Sequence, residues 1–209
     1  MMESKIMISD CLDDLFEAIS EPEANKDEQR RVAEGDSQHL ASALDGIHLA
    51  ASGHWSALAA SGKHSRVEAS GDGCNLAASG DSARLVATGA DNRLAAAGED
   101  SHLAASGSFA CISNAGNYSR IEAAGEGSHI ASVGIDTRLA ATGEWSRVAA
   151  TGQDSYAKIG PNGAMCLSWH DGTRHRFAVA YEGENGIKSH TWYRLDAAGR
   201  FVETEVASE

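Results

Sequence analysis

Proline occurs twice in 209 residues, aromatic side chains make up 6% of the chain, and cationic side chains are far outnumbered by carboxylates. Each scarcity excludes something. With so little proline, and glycine that keeps no three-residue period, the chain is neither proline-rich nor collagen-like. Few rings argue against a large aromatic core. The four cysteines, Cys11, Cys74, Cys111 and Cys166, form no CxxC pair. That spacing suits neither a zinc ribbon nor a disulfide scaffold, and it reads as a reduced, cytoplasmic chain. Lys and Arg total 17 against 30 Asp and Glu, a formal net charge of −13. Direct binding to nucleic acid needs a basic patch, so the charge argues against it and favours basic partner surfaces, including surfaces that themselves bind nucleic acid. No run approaches the roughly 20 apolar residues of a spanning helix. The opening "MMESKIMISDCLDDLF" is acidic, without the apolar stretch of a secretory leader. No membrane association is expected.

What is present in abundance is one short phrase. "KHSRVEASG" begins at residue 63, "NYSRIEAAG" at 117 and "EWSRVAATG" at 144. Glycine returns every ninth residue from 53 to 152, and four residues before each stands Leu, Val or Ile. Repeats of this kind decide the fold before any other signal. Glycine at every ninth position would weaken a long helix, and helical-pair repeats are more than thirty residues long. A short strand followed by a tight corner fits. Counting from the residue after each glycine, positions 4 to 8 alternate polar, aliphatic, variable, small and hydroxyl. Positions 5 and 7 then face inward and 4, 6 and 8 outward. The glycine supplies a left-handed or closely packed corner. The fold class is mostly β: a parallel β-solenoid.

Two repeats, eighteen residues, or three repeats, twenty-seven, can close one coil. One large aliphatic per repeat, with small Ala and Ser, fills a thin two-sided coil and would leave a three-sided one poorly packed. A 27-residue rhythm (Arg66, Arg93, Arg120, Arg147) points the other way. Volume favours the two-sided coil. Seven such coils over residues 36–161 make a rod of roughly 34 Å at ~4.8 Å per strand.

The flanks are expected to cap the rod, whose end coils would otherwise expose strand edges. In residues 1–35, Ile8, Leu12, Leu15, Phe16 and Ile19 form a helical stripe. "EANKDEQRRVAEG" after Pro22 reads as a second, more polar helix. Residues 162–209 read as four antiparallel strands separated by turns at "HDG", "GENG" and "DAAG". The array "AATGxxSRxAATG", closed by "RFAVAYEGENGIKSHTWYRLDAAGRFVE", resembles repeat proteins encoded by bacteriophages and prophages. The likeness covers about 36–209. It implies a phage or mobile-element origin and a cytoplasmic site of action, and brings no settled activity.

No catalytic set emerges, and neither a cofactor nor a metal is expected. Calcium-binding nonapeptides carry paired glycines and a repeated aspartate. Here Asp45, Asp72, Asp81, Glu99, Glu126 and Glu144 stand singly, short of the six to eight oxygens calcium needs. His48, His102 and His129 face outward at position 4. In a two-sided coil His48 and His102 lie three coils apart. His170, Asp171 and His175 surround an expected hairpin turn and have no nucleophile. No GxxxxGK[ST] loop occurs.

Binding residues are sought among the rings and the acids. Trp55, Phe109 and Trp145 share one turn phase and Tyr118 lies on the opposite turn. They either cover a glycine corner of the next coil or serve a partner. Asp10, Asp13, Asp14 and Glu17 would line the solvent side of the first helix and could mimic the charge of nucleic acid. Arg66, Arg84, Arg120 and Arg138 fall on one face, with Glu68 and Glu122 placed to pair with neighbours. The expected function is non-catalytic: a phage-encoded inhibitor of a host nucleic-acid-targeting defence complex, of CRISPR or restriction type. The alternative is a structural or self-assembling phage or cell component. The stacked faces are compatible with a homodimer.

Overall fold

The computed structural model describes residues 29–206. Among these there is no helix, and nineteen strands follow in order. They begin β1 (Arg30–Ala33), β2 (His39–Ser42), β3 (His48–Ala51), β4 (Ala57–Ala60), β5 (Arg66–Ala69), β6 (Asn75–Ala78) and β7 (Arg84–Ala87). Next come β8 (Arg93–Ala96), β9 (His102–Ala105), β10 (Cys111–Asn114), β11 (Arg120–Ala123), β12 (His129–Ser132), β13 (Arg138–Ala141) and β14 (Arg147–Ala150). The last five are β15 (Tyr156–Ile159), β16 (Ala164–His170), β17 (His175–Tyr181), β18 (Trp192–Leu195) and β19 (Phe201–Glu203).

Odd and even strands separate into two sheets. β1 to β15 pair in parallel, odd number beside odd number, in the first sheet, here sheet A. β2 to β16 do so, even beside even, in sheet B. Each residue faces the one eighteen positions on, as Arg66 faces Arg84 and Leu76 faces Leu94, except between β14 and β16, where Arg147 faces Ala164. This register is a two-sided coil, and it excludes the three-sided one. The 27-residue rhythm therefore does not report the coil. The rod has eight coils, one more than expected, because Arg30–Ala33 pairs with β3 as a strand. The helix expected over 23–35 is thus corrected at its C-terminal part. The earlier part, with the stripe from Ile8 to Ile19, lies outside the described residues.

Position 5 fills the core: Leu49, Leu58, Leu76, Leu85, Leu103 and Ile121 are fully buried. Position 7 adds alanines such as Ala87 and Ala123. A third inward position escaped the alternation. Position 3 is buried at Ser56, Ser65, Asn92, Ser101, Ser119, Ser128 and Thr137. Its side chain donates to the glycine carbonyl three residues earlier, at 2.6 Å from Ser65 to Gly62 and 2.8 Å from Ser128 to Gly125. A hydroxyl folded back onto its own corner satisfies a carbonyl that the narrow interior hides from water.

The corner divides its demands between two residues. The ninth-position glycine has an ordinary negative φ. It is required by contact, because a methyl group at Gly62, Gly80 or Gly98 would overlap the carbonyl of the residue one coil earlier. The left-handed residue is position 2, with φ of 55° at His64, 57° at Asp91 and 66° at Gly73. Small or turn-forming residues dominate there for that reason.

The C-terminal segment ends both sheets with antiparallel strands. β17 pairs with β16 on sheet B, while β18 pairs with β15 and β19 with β18 on sheet A. All four strands read from the sequence are present. The "DAAG" turn rests on Trp169, whose ring leaves no room for a side chain at Gly199.

Candidate interaction surface

Charge is sorted by position in the coil. Within 36–161, eleven of thirteen carboxylates occupy positions 1 and 2, at the corners, and only Glu68 and Glu122 stand on a face. Seven of the eight cations stand on the faces, all but Lys63. An acidic rod thus has acidic edges and cationic faces. Several edge acids hold the coils together. Asp45 Oδ1 accepts from the Lys63 amide at 2.7 Å, Asp36 from His54 at 2.9 Å and Asp72 from Ala90 at 2.8 Å. Asp81 does the same toward Glu99 and pairs with Lys63 at 3.0 Å. The Lys63 hydrogen bond, with the Glu99 amide, holds the Asp81 carboxyl below its ordinary range. Among the described residues no group of His, Cys, Asp and Glu is placed to hold a metal.

Sheet A carries the arginine row in register: Arg66, Arg84, His102, Arg120, Arg138. Adjacent like charges cost stability unless neutralised. Glu68 accepts from its own strand's Arg66, and from His48 one coil back at 2.9 Å. Burial pushes the Glu68 carboxyl up, but the hydrogen bonds from Arg66 and His48 outweigh it and hold the group low. Glu122 pairs with Arg120 at 2.6 Å. His102 is half-buried between these arginines, with an Nε2 that has no partner. Desolvation depresses its pKa, and Glu122 opposes that while Arg120 and Arg84 add to it.

Sheet B is different. None of its strands holds Asp or Glu. Its outward position 6 runs Ala41, Ala59, Ala77, Ala95, Ser113, Ala131, Ala149 and Cys166 in register. Position 4 contributes His39, Asn75, Arg93, Cys111, His129 and Arg147. His129 and Arg147 approach to 3.4 Å. At the C-terminal end β17 raises Phe177, Val179 and Tyr181, each more than half exposed. Shallow grooves of about 520, 620 and 660 Å³ lie along this one face. The largest has Val179 and Tyr181 on its wall, with Arg147 and His129 beside them. Parallel sheets normally have both faces covered, and this one has none over its outer side among the described residues.

The rings expected to bind stand where the sequence put them. Trp55, Phe109 and Trp145 lie on the edge where the chain passes from sheet A to sheet B, and Tyr118 lies on the opposite edge. All four are 55 to 65% exposed and all four have positive φ. Trp55 lies over Gly73, and Phe109 over Gly127, one coil on. Asp10, Asp13, Asp14 and Glu17 lie outside the described residues. The His170, Asp171 and His175 group forms a hairpin turn. Asp171 accepts from the Thr173 and Arg174 amides at 2.8 and 2.9 Å and pairs with Arg176. The Arg176 hydrogen bond, helped by those amides, holds its carboxyl far below the usual range. The exposed row on β17 was missed. "RFAVAY" reads as an ordinary alternating strand, and which of its faces is open depends on pairing with β16.

Comparison with known proteins adds one short likeness. Over 45 residues the chain is 53% identical to the uncharacterized protein YdhT of Escherichia coli, a match covering 22% of this chain and 17% of that protein. The chain therefore matches less than a fifth of that relative's length. No protein-family model matches. No solved structure matches.

Proposed function

We propose that the chain is a non-catalytic, protein-binding rod that docks its partner through the outer face of sheet B. The observation that carries this is a parallel sheet whose outer side holds no carboxylate and ends in exposed Phe177, Val179 and Tyr181. Apolar, cation-flanked surface of this kind desolvates at little cost, and aromatic anchors are what binding hot spots use. The aromatic edge of Trp55, Phe109 and Trp145 borders the same sheet.

The partner in this proposal is a host complex that processes nucleic acid, and the chain is a phage-encoded inhibitor of a defence system of CRISPR or restriction type. Supporting this finer reading are the carboxylates lined up along both edges of a rigid rod. That arrangement suits a channel built for a phosphate backbone. The test is phage infection of bacteria carrying such a system, with and without the protein. Infection should recover when the protein is supplied, and unchanged protection of the host would end the inhibitor reading.

A further inference from the structure

The C-terminal end of sheet B is an open edge. β17 pairs with β16 over all seven of its residues without a bulge, and no strand lies on its other side among the described residues. Proteins commonly blunt such an edge with proline, lysine or a bulge. β17 has none of these, and it is the longest edge strand of the rod: β1 and β2 have four residues each and β19 three. The Glu182 amide donates to the Gly163 carbonyl at 2.9 Å. Backbone groups alternate along an antiparallel ladder, so those of Arg176, Ala178 and Ala180 point to β16. Those of Phe177, Val179 and Tyr181 point away from it.

The sequence along this edge is its own complement. About Val179, Ala178 mirrors Ala180, Phe177 mirrors Tyr181, Arg176 mirrors Glu182 and Arg174 mirrors Glu184. A second copy laid antiparallel, with Val179 on the two-fold axis, sets ring against ring and arginine against glutamate at both ends. A slip of two residues either way puts Val179 against a ring and loses one charge pair at each end. Arg176 and Glu182 each keep a contact inside the chain, to Asp171 and to the Asn162 amide. The exposed side chains of Arg174 and Glu184 have no partner among the described residues. In a chain of net charge −13, residues 174–184 hold two Arg and two Glu, so this edge meets its copy without net repulsion.

We propose that two copies of the chain join edge to edge through β17, antiparallel about Val179, so that sheet B continues from one rod into the other. Sheet A runs one strand further at this end, in β18 and β19. The rods therefore meet at an angle, with sheet B on its inner side. The joint does not rest on the partner proposed above. It uses the edge of sheet B and leaves the outer face open, where Phe177, Val179 and Tyr181 of both copies form one patch.

The test uses the full chain in isolation. Arg174→Glu with Arg176→Glu makes the edge acidic throughout, and Glu182→Arg with Glu184→Arg makes it basic throughout. Sedimentation over a concentration series should show a dimer of the unaltered protein. Either variant, with unaltered circular dichroism, should associate at least about tenfold more weakly, and mixing the two should restore the dimer. Register is read by cross-linking in a chain carrying Cys11→Ser, Cys111→Ser and Cys166→Ser, the last because Cys166 faces position 179 on β16. Cys74 is buried. Val179→Cys should oxidise to a linked dimer, since facing Cα atoms of a hydrogen-bonded pair lie about 5.5 Å apart. Phe177→Cys, more than about 13 Å from its own mate, should not. An unaltered protein that stays monomeric through the series overturns the proposal. So does association that neither charge variant weakens, a mixture that stays monomeric, or a link that forms as fast at position 177 as at 179.

Discussion

Trp55 lies over Gly73 one coil on, so close that a methyl group at Gly73 would overlap the indole. Both residues have left-handed backbones, with φ of 59° and 66°. Only the glycine adopts that conformation without cost. The tryptophan is therefore held in a strained corner while more than half its surface faces solvent. The same left-handed corner recurs at the exposed rings of Phe109, Tyr118 and Trp145.

The first prediction separates the pair. Gly73→Ala should lower stability by about 2 kcal/mol or more, from the left-handed penalty and the collision with the ring. Trp55→Asn should leave the urea midpoint unchanged or raise it, since asparagine tolerates the left-handed region. A midpoint that falls as far for Trp55→Asn would make the ring a structural cover alone.

A second contrast concerns contact against conformation. Gly98 has ordinary φ but no space, because a side chain would meet the Gly80 carbonyl. Gly183 has φ of 82° and open space around it. Gly98→Ala should cost roughly 3 kcal/mol or prevent folding, and Gly183→Ala about 1 kcal/mol. Circular dichroism with urea unfolding reads both, and equal losses would refute the assignment of the ninth position to close contact.

Much of this architecture was legible in the residues. The alternation at positions 4 to 8, and the volume of one aliphatic per repeat, lead to the two-sided coil that pairs Arg66 with Arg84. Position 3 was less visible, because serine is as common at exposed corners as beneath them. Asp45 and Asp72 read as solvated turn acids until the parallel register placed each against an amide of the next coil. The open face of sheet B was hidden for a different reason. Alanine in a repeat reads as filler, and nothing local tells that the acids avoid one sheet entirely.

Asn92 tests position 3 directly. It is fully buried, accepts from the Cys74 amide at 2.6 Å and donates to the Gly89 carbonyl at 2.6 Å. Asn92→Ala should cost about 2 kcal/mol, since the buried Cys74 amide and the part-buried Gly89 carbonyl lose their partner. A loss under about 0.5 kcal/mol, the range of ordinary surface substitutions, would contradict that role.

His102 sets a pH dependence. Its pKa is lowered from 6.5 by burial, so the unfolded chain takes up the proton at higher pH than the folded one. Its contribution is undiminished above about 6.5 and falls as pH drops through the interval below that value. His102→Asn should reduce the decline in urea midpoint between about pH 7.5 and pH 5.5. An identical decline in the variant would remove His102 as its source.

The most direct measurement is recovery of a partner on the tagged protein from bacteria carrying defence systems, after nuclease treatment, compared with an Ala149→Glu, Val179→Glu variant. Both substitutions place a carboxylate on the outer side of sheet B, at exposed or half-exposed positions away from the core. The account predicts a nuclease-resistant complex on the unaltered protein and its loss from a variant that still folds. The same complex recovered equally from both would show that sheet B is not where the partner docks.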